Sequence, residues 1–118
     1  MKDLASLTQF DALLGPSPGC VLIYKHSTQC GLCDSAIEEL RAFEEKNPAA
    51  ATIYYLDLLA YRDLSKAVAQ KLGVRHESPQ VIVLKDGKPR AVLNHRAIRV
   101  EALRSALQAA TVSASQKP

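Results

Sequence analysis

A chain of 118 residues, 47% of them hydrophobic, with 15 basic and 12 acidic side chains and a formal charge of +3, can bury one core without a structural metal or a disulfide framework. The small charge excess is spread along the sequence, with no cluster of Lys and Arg interleaved with aromatics, which argues against nucleic acid as a partner. No uninterrupted apolar run could insert into a bilayer, and Asp3 stands where a signal peptide carries its positive region, so a non-exported, cytoplasmic protein with no membrane partner is expected.

Leu4, Leu7, Phe10 and Leu13 recur at helical spacing and predict a short amphipathic helix, closed by Gly15-Pro16-Ser17-Pro18-Gly19. Cys20 to Tyr24 is a short apolar run rich in strand formers and reads as a buried strand, with Lys25 to Gln29 as the loop leaving it. From Cys30 the period changes. Cys33, Ala36, Ile37, Leu40 and Phe43 fall at steps of three and four, while Asp34, Glu38 and Glu39 lie off that stripe, so a helix begins there and ends by Asn47-Pro48. Thr52 to Leu58 is a second strand, and Leu64, Ala67, Val68 and Leu72 mark a helix that Gly73 can close in a left-handed cap.

Val81 to Leu84 is a third buried strand, and Asp86-Gly87 is the pair favoured in a tight hairpin turn. Pro89 opens the returning strand, Arg90 to Leu93; because Pro cannot donate to a ladder, that strand belongs at an edge. Val100, Leu103, Ala106, Leu107 and Ala110 make a last helix, and Thr111 to Pro118 is expected to fray. The order α-β-α-β-α-β-β-α places a parallel βαβ half before an antiparallel hairpin half. The expectation is one α/β domain over residues 1–118, its core about residues 20–110, built on a four-stranded mixed sheet flanked by helices.

Three cysteines do not make a disulfide scaffold, whereas a lone Cys30-Gly31-Leu32-Cys33 at a strand-to-helix turn suits thiol chemistry in a reducing compartment. Exchange needs one reachable thiolate and a second thiol close enough to displace the bound partner. Cys30 sits at the helix amino end, where free N–H groups and the dipole favour a thiolate, and is the expected nucleophile. Cys33 lies on the apolar stripe with Ile37 and Leu40, turned toward the protein, and is the expected resolving thiol. Cys20 begins an apolar strand and reads as a small core hydrophobe. Zinc would need four ligands, and beyond the pair only Cys20 and three scattered histidines remain, so neither metal nor cofactor is expected. His26 allows two readings, a protonated imidazole steadying the Cys30 thiolate or a neutral one capping a turn. His76 and His95 read as solvated surface, and Glu38-Glu39 and Glu44-Glu45 as an exposed helix face.

The element order, with Cys-x-x-Cys at the turn of the βαβ half, resembles the thioredoxin fold over about residues 20–110. The stretch Gly73 to Lys88 is similar to the thioredoxin segment that carries a cis-proline before a buried strand and a turn. That resemblance implies a cis Ser78–Pro79 bond, with the Ser78 backbone offering hydrogen bonds to substrate; the residues alone also allow a trans Pro starting a strand. Tyr24-Lys25-His26-Ser27-Thr28 resembles the lead-in of the small bacterial bacilliredoxin-like proteins, linked to bacillithiol, some of which carry a single cysteine.

What the resemblance implies is a thiol–disulfide oxidoreductase acting on disulfide-bearing proteins or on mixed disulfides with a low-molecular-weight thiol, bacillithiol or similar. Cys30 and Cys33 would be catalytic, with His26, Gln29, Ser78 and Pro79 flanking the substrate. Gln29 and Leu32 replace the thioredoxin Trp and Pro, and Tyr24 stands where thioredoxins keep a buried Asp. These departures bear on redox poise, proton relay and choice of reductase. Two other readings are a general thioredoxin recharged by a flavin disulfide reductase, and a non-catalytic thioredoxin-fold binding module.

Overall fold

The computed structural model describes residues 1–115. In chain order the elements are β1 (Lys2–Asp3), α1 (Leu7–Asp11), β2 (Cys20–His26), α2 (Gly31–Lys46), β3 (Ala51–Asp57), α3 (Arg62–Leu72), β4 (Gln80–Lys85), β5 (Lys88–Asn94), a 3-10 turn (His95–Ala97) and α4 (Val100–Ser115). The strands form one mixed sheet in the order β1-β3-β2-β4-β5. β1, β3 and β2 run parallel, while β4 is antiparallel to β2 and β5 to β4. The alternation of β2 explains the layers. Leu22 and Tyr24 point to the side covered by α2 and α4, where they pack with Leu40, Phe43, Val83 and Leu103. Ile23 points the other way, into a second core with Phe10, Leu56, Val68 and Ile82 under α1 and α3. Paired on both edges and covered on both faces, β2 holds its carboxyl end, where the cysteine motif begins, in a fixed place.

Several sequence expectations are met in detail. Gly73 takes φ 65° as the C-cap of α3, and β5, which carries Pro89, is an edge strand. Asp86 (φ 54°) and Gly87 (φ 74°) form the left-handed pair of the β4–β5 turn. At Gly87 a Cβ would stand 1.9 Å from the Leu14 carbonyl oxygen, so both the backbone angle and the close approach exclude a side chain. Gly87→Ala is expected to destabilise the protein by about 2 kcal/mol or more, read as a lower denaturation midpoint in urea.

Four expectations are corrected. The sheet has five strands, not four: Lys2 and Asp3 pair with Tyr54 and Tyr55 of β3, and Leu4 N–H donates to the Tyr55 carbonyl at 2.8 Å. Both β1 residues are exposed, so no apolar alternation advertised a strand held through its backbone, to which the Gln9 amide adds a bond on the Asp3 carbonyl. The first helix is accordingly shorter than its leucine spacing implied, beginning after Ser6, whose Oγ accepts from Gln9 N–H. Lys25 and His26 are not loop but the end of β2, because β3 and β4 continue the ladder through Leu56, Asp57 and Gln80. The last helix runs on through Thr111, whose hydroxyl donates to the Leu107 carbonyl, to Ser115; the remainder of the expected frayed tail, residues 116–118, lies outside the described residues.

Candidate active site

β2 ends at His26, and Ser27 to Gln29 turn the chain into α2, whose N-cap is Cys30 in an extended conformation (φ −117°, ψ 118°). Cys30 is half-buried, whereas Cys33 is fully buried and neither is in a disulfide. This is the division that helical spacing demands, one thiol at the lip of the helix and one a turn below it. Ser27 N–H donates to Cys33 Sγ at 3.4 Å, and Ser78 Oγ lies 3.5 Å from the same sulfur. Burial pushes the Cys33 thiol above its ordinary value and the neighbouring Cys30 adds to the rise, while the Ser27 and Ser78 hydrogen bonds oppose it.

The Ser78–Pro79 peptide is cis, and the connection carrying it is held from two sides. His95 N–H donates to the Pro79 carbonyl at 2.9 Å, and the buried Gln80 amide donates to Arg75 O at 2.9 Å and Asn94 Oδ1 at 3.0 Å. His95 itself has φ 53° and its Nε2 pairs with Glu77 Oε1 at 3.1 Å. The motif, the Ser78–Pro79 bond and the turn after β5 thus meet around the two cysteines. Gln29, at the rim, donates its N–H to Ser27 Oγ at 3.2 Å. Glu39, expected on a solvated face, instead accepts from Val100 N–H at 3.1 Å and caps α4.

Beneath Cys33 lies a buried group that the sequence did not reveal as a unit. The fully buried Tyr24 hydroxyl is 2.7 Å from His26 Nδ1 and donates to the Cys33 carbonyl at 3.3 Å. A hydroxyl has one proton to give, so we assign His26 the tautomer in which Nδ1–H donates to Tyr24. The Tyr55 ring packs on both, its centroid 5.9 Å from Tyr24 and 5.2 Å from His26. Burial lowers the His26 pKa from its ordinary value, against the opposing pull of Asp34 and Asp57, and so favours the neutral imidazole. Burial, with Cys33 next, likewise raises the Tyr24 hydroxyl. The His26 imidazole, expected in the exit loop, thus meets the Tyr24 hydroxyl from the end of β2. Tyr24→Phe should leave His26 Nδ1–H buried without a partner and cost about 1–2 kcal/mol; urea unfolding of the reduced protein measures it.

Cys20 lies at the far end of β2, buried, with its sulfur 3.9 Å from Thr111 Oγ1. Among the described residues no three His, Cys, Asp or Glu side chains gather as metal ligands, and no helix is long and apolar enough to cross a membrane.

Residues 2–103 match the family model of the monothiol bacilliredoxin BrxC. The chain belongs to that bacilliredoxin family. Among solved structures it is similar to a thioredoxin-fold protein described as a candidate oxidoreductase, with 30% identity and a TM-score of 0.80 over 89% of this chain and 91% of that one. It shares its fold with the Fasciola hepatica thioredoxin (19% identity, TM-score 0.69, 92% of this chain and 97% of that one). The Malassezia sympodialis thioredoxin gives 21% identity and a TM-score of 0.67 over 92% and 88%. The bacilliredoxin assignment brings a thiol-redox role and substrates that are thiols or disulfides. The family is described as monothiol, yet here a second cysteine, Cys33, lies one helical turn from the first.

Proposed function

We propose that the protein is a thiol–disulfide oxidoreductase that removes a low-molecular-weight thiol from mixed disulfides on proteins, with Cys30 as nucleophile and Cys33 as a slow resolving thiol. Cys30 as thiolate attacks the small-thiol sulfur of a protein mixed disulfide; the new bond joins Cys30 to the small thiol, and the target protein leaves as a thiolate. Cys33 can then attack Cys30, losing its proton and releasing the small thiol as the Cys30–Cys33 disulfide forms. A second molecule of small thiol attacking instead would complete a monothiol cycle. Both routes conserve electrons, since each exchange forms one S–S bond for each one broken.

The observation that carries this reading is the placing of the two sulfurs: Cys30 at the lip of α2, and Cys33 buried below it, reached by Ser27 N–H and the Ser78 hydroxyl. The backbone around Ser78 and Pro79 offers an extended partner main-chain hydrogen bonds across from Cys30, with Gln29 at the rim. His26 acts through Tyr24 on the ground beneath Cys33. A bacillithiol-type thiol and a cytoplasmic setting fit the bacilliredoxin membership, while recharging by a flavin reductase suits the general-thioredoxin alternative. Supplying the oxidised protein in turn with bacillithiol, glutathione or a thioredoxin reductase tests this: turnover only with the reductase would overturn the small-thiol reading.

The pairing itself has a direct check. Oxidation with a small disulfide, alkylation and mass mapping should find Cys30 linked to Cys33 or to the small thiol, and Cys20 unlinked. Cys20 joined to either would refute the roles.

A further inference from the structure

Lys25 is fully buried and has no carboxylate partner among the described residues. Alternation along β2 sends it to the face opposite Tyr24 and His26, toward α3. There its ammonium donates to the Ser65 carbonyl at 3.1 Å and lies 3.1 Å from His76 Nδ1, leaving one of its three N–H groups uncommitted. Burial pulls its pKa down to about 8. A buried ammonium without a counter-charge is a costly arrangement, and nothing in the fold requires it, since a linear apolar side chain would fill the same space.

Ser65 and His76, the two groups Lys25 touches, also line an open cleft of about 490 Å³ along α3. Leu58 and Ala69 give it apolar walls, and Arg62 and Lys66 stand at its rim. Among the described residues, no Asp or Glu lines the cleft. Arg62 and Lys66 are exposed and neither makes an ion pair among the described residues, although the other side of the same helix uses Lys71 to bind Asp11. His76 is exposed, as its neighbours in sequence suggested, and its Nδ1 also reaches the buried ammonium, so the ring stands between that group and the cleft.

We propose that this cleft is a binding site for a small organic anion, with Arg62, Lys66 and His76 around a carboxylate or phosphate group and Leu58 and Ala69 against its apolar body. The Lys25 ammonium behind His76 then gains a counter-charge that none of the described residues provides, passed through the imidazole it contacts. Inorganic ions would leave the apolar walls uncovered, so an anionic group on a carbon skeleton fits better than phosphate or sulfate. The site lies on the opposite face of the sheet from the Cys33 thiol, and its occupancy can be read without any redox turnover.

The test is titration of the full-length reduced protein with hexanoate and with phenyl phosphate at constant ionic strength, following the His76 imidazole by NMR. The expected result is a saturable shift with at least one of the two, the group that saturates at lower concentration identifying the anion. The His76 titration midpoint, held low by burial and by Lys25 and raised only by Glu77, should move up when the ligand binds. The Arg62→Gln/Lys66→Gln double variant, altered only at exposed positions, should bind about tenfold more weakly. A response that does not saturate with either compound, that chloride reproduces, or that persists unchanged in the double variant would overturn the proposal. A failure here leaves the Cys30 chemistry untouched, because mixed-disulfide exchange is measured separately.

Discussion

Cys30→Ser is expected to reduce mixed-disulfide exchange to the uncatalysed background, while Cys33→Ser should keep the first attack and accumulate the Cys30 adduct. The asymmetry follows from where the sulfurs lie. Only Cys30 is partly open to a bulky partner, and Cys33 is fully buried. The same burial makes resolution slow, because the attacking species is the thiolate and its fraction falls tenfold for each pH unit below the pKa. Burial raises that pKa above its ordinary value, so Cys33 is mostly thiol at neutral pH. Among the described residues no carboxylate is hydrogen-bonded to Cys33 to take its proton; the Tyr24 hydroxyl, beside His26, lies beneath it on the Cys33 carbonyl. Release of the small thiol from the wild-type adduct should therefore accelerate about tenfold per pH unit between pH 6 and 8. Stopped-flow mixing with a fluorescent mixed disulfide separates the two phases. A pH-independent release, or equal loss of the first attack in both variants, would refute the assignment. Turnover of Cys33→Ser with excess small thiol would show how a chain with two cysteines serves a family described as monothiol.

Elements that carried a chemical signature were legible from the residues. The short apolar runs at β2, β3 and β4, the stripe of α2, Gly73 and Asp86-Gly87 each announce a local conformation that the tertiary structure then uses. β1 was not legible, because two exposed residues held by backbone bonds have no side-chain pattern to read. The same limit applied at the site. Spacing separated an outer from an inner cysteine, and the likeness to thioredoxins pointed to Ser78 and Pro79. What no period could show was that a lysine and a histidine, which in sequence suggest a solvated loop, continue a central strand. Once β2 extends through His26, alternation sends Tyr24 and His26 under Cys33 and Lys25 to the other face. The Tyr24–His26 pair and the Lys25–His76 contact both follow from that register, which the ladder partners on β3 and β4 determine.

Lys25→Met should make the protein more stable at neutral pH. Methionine fills a similar linear volume, loses the bonds to Ser65 and His76, and has no charge to desolvate. The fall of the Lys25 pKa from 10.5 to about 8 sets an upper limit of about 3 kcal/mol on the cost of keeping the ammonium buried. The two lost hydrogen bonds offset part of that, so the net gain should be about 1–2 kcal/mol, or several degrees in Tm. Below pH 8 the side chain is protonated in both states and the folded protein bears the whole cost. Between about pH 8 and 10.5 the native state sheds the proton while the unfolded chain retains it, so wild-type stability rises with pH relative to the variant. The advantage of Lys25→Met should accordingly be full at pH 7 and shrink toward pH 10. Cysteines and tyrosines that titrate in that range are common to both proteins and cancel in the difference. Paired urea titrations at pH 7 and pH 10 give the two values. A variant less stable than wild type at pH 7, or a gap that widens with pH, would mean that the ammonium is already well compensated within the fold, and the case for an external anion at the α3 cleft would lose its energetic basis.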